Sequence, residues 1–194
     1  MKQIRALVFD LDGTLVTSTL DFALIREELG CADEVDVLAY VDSLSDVERA
    51  EAEAIIHRHE VEDAEQSEWL PGAQEFVQRC REHQIPLAIL TRNSNFSSRI
   101  KIARNEIPIP YLITRENSKP KPDPSALNEI ANQFSLRSEE VLMVGDYKYD
   151  LQAGRNARMP TCLLHYEGEP DYLHLADYKF QNFFQFHQVF FEQR

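Results

Sequence analysis

Asp10 and Asp12 stand two residues apart at the end of an apolar run, Ile4-Arg5-Ala6-Leu7-Val8-Phe9, and are followed by Gly13-Thr14-Leu15. On an extended strand the side chains at i and i+2 point the same way, so the two carboxylates would face one cavity. Two like charges this close resist joint ionisation unless a cation or a shared proton compensates them. The carboxyl end of a buried strand, just before a glycine turn, is where α/β sheets bind ligands. An Asp-Gly pair also marks plain turns, so the hexapeptide alone leaves a structural reading open.

Three further segments add to it. Ile85-Pro86-Leu87-Ala88-Ile89-Leu90-Thr91 is a second apolar run, ending in a hydroxyl residue. Lys121-Pro122-Asp123-Pro124 sets a lysine ahead of a stiff, helix-breaking element. Val141-Leu142-Met143-Val144-Gly145-Asp146 is a third run ending in an acid, with Asp150 four residues later. Three strand ends thus carry Asp, Thr and Asp, and a loop carries Lys. A parallel sheet gathers such ends along one edge, where loops build active sites.

These four motifs, in this order, resemble the haloacid dehalogenase-type phosphatases: Asp-x-Asp-Gly-Thr-Leu, a strand-end Thr, Lys-Pro-x-Pro, then Gly-Asp-x-x-x-Asp. The resemblance spans roughly residues 4–160. It implies a Mg²⁺-dependent phosphomonoester hydrolase with Asp10, Asp12, Thr91 and Lys121 as catalytic residues. The chemistry suits those residue types. A carboxylate at Asp10 can attack phosphorus to form an aspartyl-phosphate, splitting one hard displacement into two easier ones. Asp12 would protonate the leaving oxygen and then take a proton from the attacking water. Thr91 and Lys121 would hold the non-bridging phosphoryl oxygens. Mg²⁺, small and oxygen-seeking, would take Asp10, the backbone carbonyl of Asp12 and Asp146 as ligands, with Asp150 orienting a bound water or Lys121.

Lys119 also precedes a Pro-x-Pro unit. The family usually places its lysine one crossover helix before the Gly-Asp acid, a spacing that Lys121 fits and Lys119 overshoots by two residues. Asp12 sorts further within the family. Relatives that displace halide from carbon generally lack a second acid, because no alkoxide needs protonating; phosphonate-cleaving relatives usually carry a small residue there, and ion-pumping ATPases a threonine. Phosphosugar mutases keep both acids and are the alternative enzyme, although their usual cap is larger. A catalytically silent binding protein would be expected to lose Asp10, Asp12 or Lys121. A phospho-receiver domain shares the acids, Thr and Lys, but places its acceptor on a later strand.

Strands alternate with helices along the chain, which points to an α/β fold with a doubly wound parallel sheet. Helices are expected near residues 75–81, 97–105 and 125–134, and short strands at 111–114 and 161–165. By resemblance the strand order is 5-4-1-2-3 with Asp10 on the central strand. The core would comprise residues 1–15 and 69–194, and residues 16–68 a helical cap insertion between the first and second motifs. That insertion holds sixteen acids against Arg26, Arg49 and Arg58, so it accounts for the entire net charge of −13. Phe22, Ile25, Arg26, Leu29 and Val47, Ala50, Ala54 fit amphipathic helices with solvated acidic faces. Caps of this kind exclude water and choose the substrate. Arg92 and Asn93 directly follow Thr91 and are candidate substrate contacts; Arg115 and Glu116 are expected at the edge of the site. His57 and His59 diverge on a helix and suit the surface better than a metal.

An acidic chain is a poor ligand for nucleic acid, so the expected partner is a small phosphorylated metabolite. At 194 residues the chain buries enough surface to need no staples, and Cys31, Cys80 and Cys162 are odd in number and too widely spaced for a zinc cluster. No apolar stretch reaches membrane-spanning length, and the strand at Ile4 leaves no room for a signal peptide; a cytoplasmic protein is expected. Near the C-terminus Phe183, Phe186 and Phe190 match helical spacing, with Phe180, Phe184 and Phe191 on a neighbouring stripe. They would close the core or form a dimer surface, leaving monomer and homodimer both open.

Overall fold

The strand that carries Asp10 is β1, Ala6–Phe9, and all of its residues are buried. A run apolar on both faces belongs inside a parallel sheet covered on both sides. The computed structural model describes residues 1–165, 168 and 170–192. After β1 come α1 (Phe22–Leu29), α2 (Val37–Asp42), α3 (Asp46–Ala64) and α4 (Ala73–Glu82). The chain then alternates through β2 (Leu87–Leu90), α5 (Asn95–Arg104), β3 (Tyr111–Ile113), α6 (Ser125–Gln133), β4 (Val141–Gly145), α7 (Lys148–Asn156) and β5 (Thr161–Leu164). It ends with β6 (Tyr178–Phe180) and α8 (Phe183–Glu192).

The six strands form one parallel sheet in the order β3-β2-β1-β4-β5-β6. This contains the expected 5-4-1-2-3 and adds β6 at one edge. That strand is three residues long, too short for any alternation to announce it. Side chains sort by the strand period of two. Leu7, Phe9, Ile89 and Val144 point into a core with α4 and α8, whereas Ala6, Val8, Leu90 and Met143 meet α6 and α7.

The aromatic tail closes the first of these cores. Phe183, Phe186 and Phe190 are wholly buried, and the Phe186 ring stacks on Phe76 at 4.4 Å. Phe180 belongs to β6 rather than to the helix, and Phe184 is exposed.

The segment 16–68 folds as α1, α2 and α3 around a small apolar cluster of Ile25, Val37, Val41, Ala52 and Ile56. Its two linkers to the sheet lie side by side: the Thr17 N–H donates to the Glu68 carbonyl at 2.8 Å, and the Leu70 N–H to the Leu15 carbonyl at 2.9 Å. The buried face of α3 is not the expected Val47, Ala50, Ala54 stripe, which is exposed. It runs instead through Ala52, Ile56, Glu60, Asp63 and Ala64. Two of its five residues are acids, which defeats a reading by hydrophobic spacing; both find cations on the sheet side. Among the described residues no helix is long and apolar enough to cross a membrane. All three cysteines are buried.

Candidate active site

Register brings the strand ends together. Phe9 pairs with Ile89 on one side and Val144 on the other, so Asp10, Thr91 and Asp146 leave the sheet next to one another. The Asp10 N–H still reaches the Val144 carbonyl at 2.9 Å, and the Thr91 N–H the Ile113 carbonyl at 3.0 Å. Gly13 then turns the chain at a φ of +70°, where a Cβ would fall on the Asp146 carboxylate. Glycine is required there for both conformation and room.

Lys121 is the cation at the floor. Its Nζ donates to Asp10 Oδ1 at 2.6 Å, to Asp150 Oδ1 at 2.6 Å and to the Leu90 carbonyl at 2.8 Å. Lys119 is exposed. Burial would lower the Lys121 pKa, but Asp10 and Asp150 outweigh it and hold the ammonium charged. Ligand oxygens of Asp10, Asp146 and Asp150 lie within 4.8 Å of one another. Burial, then Asp10 and Asp150, push the Asp146 carboxyl well above the usual range, although Thr14 Oγ1 donates to it at 2.7 Å. Burial likewise raises Asp150 to about 6, against the pull of Lys121. Three crowded carboxylates with all-oxygen donors suit a hard divalent cation such as Mg²⁺.

Asp12 sits apart from that cluster. Its Oδ2 accepts from Asn93 Nδ2 at 2.7 Å, and its Oδ1 meets the ammonium of Lys101. Burial raises its pKa to about 6, although Lys101 and Asn93 pull downward. A carboxyl near 6 exchanges its proton close to neutral pH. Thr91 is buried, and its Oγ1 accepts from the Asn93 N–H at 3.1 Å, which leaves the hydroxyl proton to donate elsewhere.

These groups open into one cavity of about 490 Å³ between the sheet edge and the helical segment. Asp10, Asp12, Thr91, Lys121, Asp146 and Asp150 line its floor, and Arg92 and Asn93 its side. Leu20, Phe22, Val37 and Leu38 form the opposite wall, with Tyr147 and Tyr149 between. Arg92 is already engaged: it donates to the Lys121 carbonyl at 2.7 Å, pairs with Asp36 at 2.6 Å and lies 4.3 Å over the Tyr149 ring. His57 packs against Phe96 and His59 approaches Glu28; neither lines the cavity.

Sequence reasoning missed the partners that α3 sends to the site. Glu60 pairs with Arg115 and accepts from the Ser94 N–H at 3.2 Å. Arg115 therefore crosses to the helical segment. Asp63 meets Lys101 at 2.5 Å. The only sequence signal for Lys101 is positional, three and four residues beyond Ser98 and Ser97 on the inward face of α5.

The family described as haloacid dehalogenase-like hydrolase matches residues 4–158. The uncharacterized hydrolase YOR131C of Saccharomyces cerevisiae is 32% identical over 171 residues, covering 84% of this chain and 78% of that protein. A phosphoglycolate phosphatase of Photorhabdus laumondii is 29% identical, over 86% of this chain and 82% of its own. The crystal structure of a hydrolase from Pseudomonas syringae superposes with a TM-score of 0.81 at 19% identity, covering 97% of this chain and 98% of that one.

Proposed function

Because the chain belongs to the haloacid dehalogenase-like hydrolases, we propose that it is a phosphatase that hydrolyses a small phosphomonoester through an aspartyl-phosphate on Asp10. The observation that carries this reading is the pair Asp10 and Asp12. Both face one cavity; Asp10 is held by Lys121, and Asp12 is pushed to about 6. The phosphatase relative supports ester hydrolysis as the reaction class.

In the first half-reaction a carboxylate oxygen of Asp10 attacks phosphorus and the bond to the ester oxygen breaks. The Asp12 carboxyl gives its proton to that oxygen, and the alcohol departs. In the second, water attacks the phosphorus of the aspartyl-phosphate and passes a proton to Asp12. The bond to Asp10 breaks, and inorganic phosphate and the Asp10 carboxylate are restored. Lys121 and the Thr91 hydroxyl face the phosphoryl oxygens and offset their charge. Asp10, Asp146 and the Asp12 carbonyl would hold Mg²⁺, which when bound neutralises phosphoryl charge and orients the ester; Asp150 keeps Lys121 in place.

In this reading residues 16–68 are the cap. They set Leu20, Phe22, Val37 and Leu38 opposite the phosphate end, so the organic part of the ester meets apolar side chains. Buried cysteines at Cys31, Cys80 and Cys162, outside any disulfide, fit a reducing, cytoplasmic setting.

The test is inorganic phosphate release from a panel of phosphorylated metabolites, with and without Mg²⁺. Strong, metal-dependent release from one or a few compounds is expected. Asp10→Asn should remain folded and lose at least about 10³-fold in kcat. Undiminished hydrolysis by that variant would remove Asp10 as the nucleophile.

A further inference from the structure

Lys101 has no exposed surface, yet it does not line the cavity and so touches no substrate. It projects from α5, the helix that begins just after the Thr91-Arg92-Asn93 stretch. Its ammonium lies between two carboxylates, Asp12 of the sheet edge and Asp63 of α3. Burying an ammonium is costly, and a well-packed apolar side chain generally serves stability as well as a buried ion pair does. Packing alone therefore gives no reason for a charge at this position.

The surroundings of the two acids supply one. Asp63 is already held from the outgoing linker: the Thr19 N–H donates to it at 2.5 Å, and the Thr19 and Ser18 hydroxyls at 3.1 Å. Asp12, by contrast, has one oxygen on Asn93 and the other on Lys101. With Asn93 alone the carboxyl could rotate about its χ2; with both oxygens held, its plane is determined. A reacting group displaced by about 1 Å loses on the order of 10²-fold in rate.

We propose that Lys101 is a positioning residue for Asp12, fixing the plane of its carboxyl and joining it through Asp63 to the linker of the helical segment. The assignment rests on the acid/base reading of Asp12. It makes the aim of Asp12 depend on where Asp63 stands, and so on the placement of α3.

The test separates the two claims. kcat/KM reports the steps up to departure of the alcohol, in which Asp12 protonates the leaving oxygen. It is measured over a series of phosphate monoesters, from p-nitrophenyl phosphate, whose leaving group needs little protonation, to simple alkyl phosphates, which need it fully. Lys101→Met and Lys101→Gln should lose about 10-fold or more on the alkyl esters beyond any loss on the aryl ester. Lys101→Arg, which keeps a cation, should stay closer to the wild-type slope. Combined with Asp12→Ala, Lys101→Met should add little, because it acts through the missing group.

A uniform loss across the series, losses that multiply with Asp12→Ala, or neutral variants that do not fold would make Lys101 a structural ion and overturn the proposal. If Asp12→Ala itself leaves the leaving-group slope unchanged, the acid/base reading of Asp12 falls, and the role given to Lys101 falls with it. A steepened slope for Asp12→Ala with none for the Lys101 variants overturns only the latter.

Discussion

Lys121 and Asp150 meet at 2.6 Å, Nζ to Oδ1, and each is only 2% exposed. The same ammonium serves Asp10 at 2.6 Å, so one cation stands beside a cluster of three carboxylates that includes Asp146. Asp146 accepts a hydroxyl from Thr14, and the nearby ammonium is turned to the other two acids. The pocket floor therefore carries more negative charge than its own lysine offsets. Enclosure strengthens that repulsion, because little water screens it.

Asp146→Asn removes the carboxyl whose ionisation burial, Asp10 and Asp150 oppose, while keeping the shape and the oxygen that Thr14 bonds. In EDTA the variant should melt above the wild type, since like-charge repulsion is relieved. Added Mg²⁺ should raise the wild-type melting temperature, by about 2.7 kcal/mol of stability at a hundredfold excess over Kd. The variant should show little such shift. Thermal melts with EDTA and with graded Mg²⁺ decide it: an unchanged Mg²⁺ response in the variant would reassign the ligand.

Asp36 joins the helical segment to the sheet edge through Arg92 and caps α2, accepting the Ala39 N–H at 3.0 Å. Burial pushes its carboxyl upward, but the Ala39 N–H and the Arg92 guanidinium outweigh it and hold the group below its ordinary 3.8. A depressed folded value means that the ionised form stabilises the fold above about pH 3.8, and that this is lost as pH falls through the folded pKa. Asp36→Asn keeps a good cap and drops the charge. Urea midpoints should place the variant below the wild type by about 0.5–1 kcal/mol near pH 7, with the two converging below pH 3.8. A gap of constant size at every pH would show that the ion pair contributes nothing.

Phe186 stacks on Phe76 at 4.4 Å with no exposed surface, whereas Phe184, two residues earlier, is 61% exposed. Phe186→Ala should cost about 3–5 kcal/mol, through lost burial and the cavity left behind. Phe184→Ala should stay within about 1 kcal/mol. Equal costs in urea unfolding would mean that Phe184 is covered in solution, as a dimer surface would cover it.

Much of the architecture was legible because it depends on local pattern. Four-residue apolar runs such as Ala6–Phe9 and Leu87–Leu90 announce buried parallel strands, and Phe183, Phe186 and Phe190 repeat at a helical interval. The exception at the edge, Tyr178–Phe180, is too short to carry a period. The inward face of α3 was misjudged for a different reason. Hydrophobic spacing favours Val47 and Ala54, but Glu60 and Asp63 turn inward because Arg115 and Lys101 wait there, 55 and 38 residues further along the chain.

By itself, the sequence determined the α/β class, the central strand and the identities of the strand-end groups, since side-chain period and the chemistry of Asp, Thr and Lys are properties of short segments. Only the tertiary structure decided which charges face one another. It turned Lys121 toward both Asp10 and Asp150, engaged Arg92 with Asp36, and set Lys101 between Asp12 and Asp63. The reason is physical. A buried charge is tolerated only where an opposite charge reaches it, and that partner is chosen by the packing of helices on the sheet, which no local periodicity records.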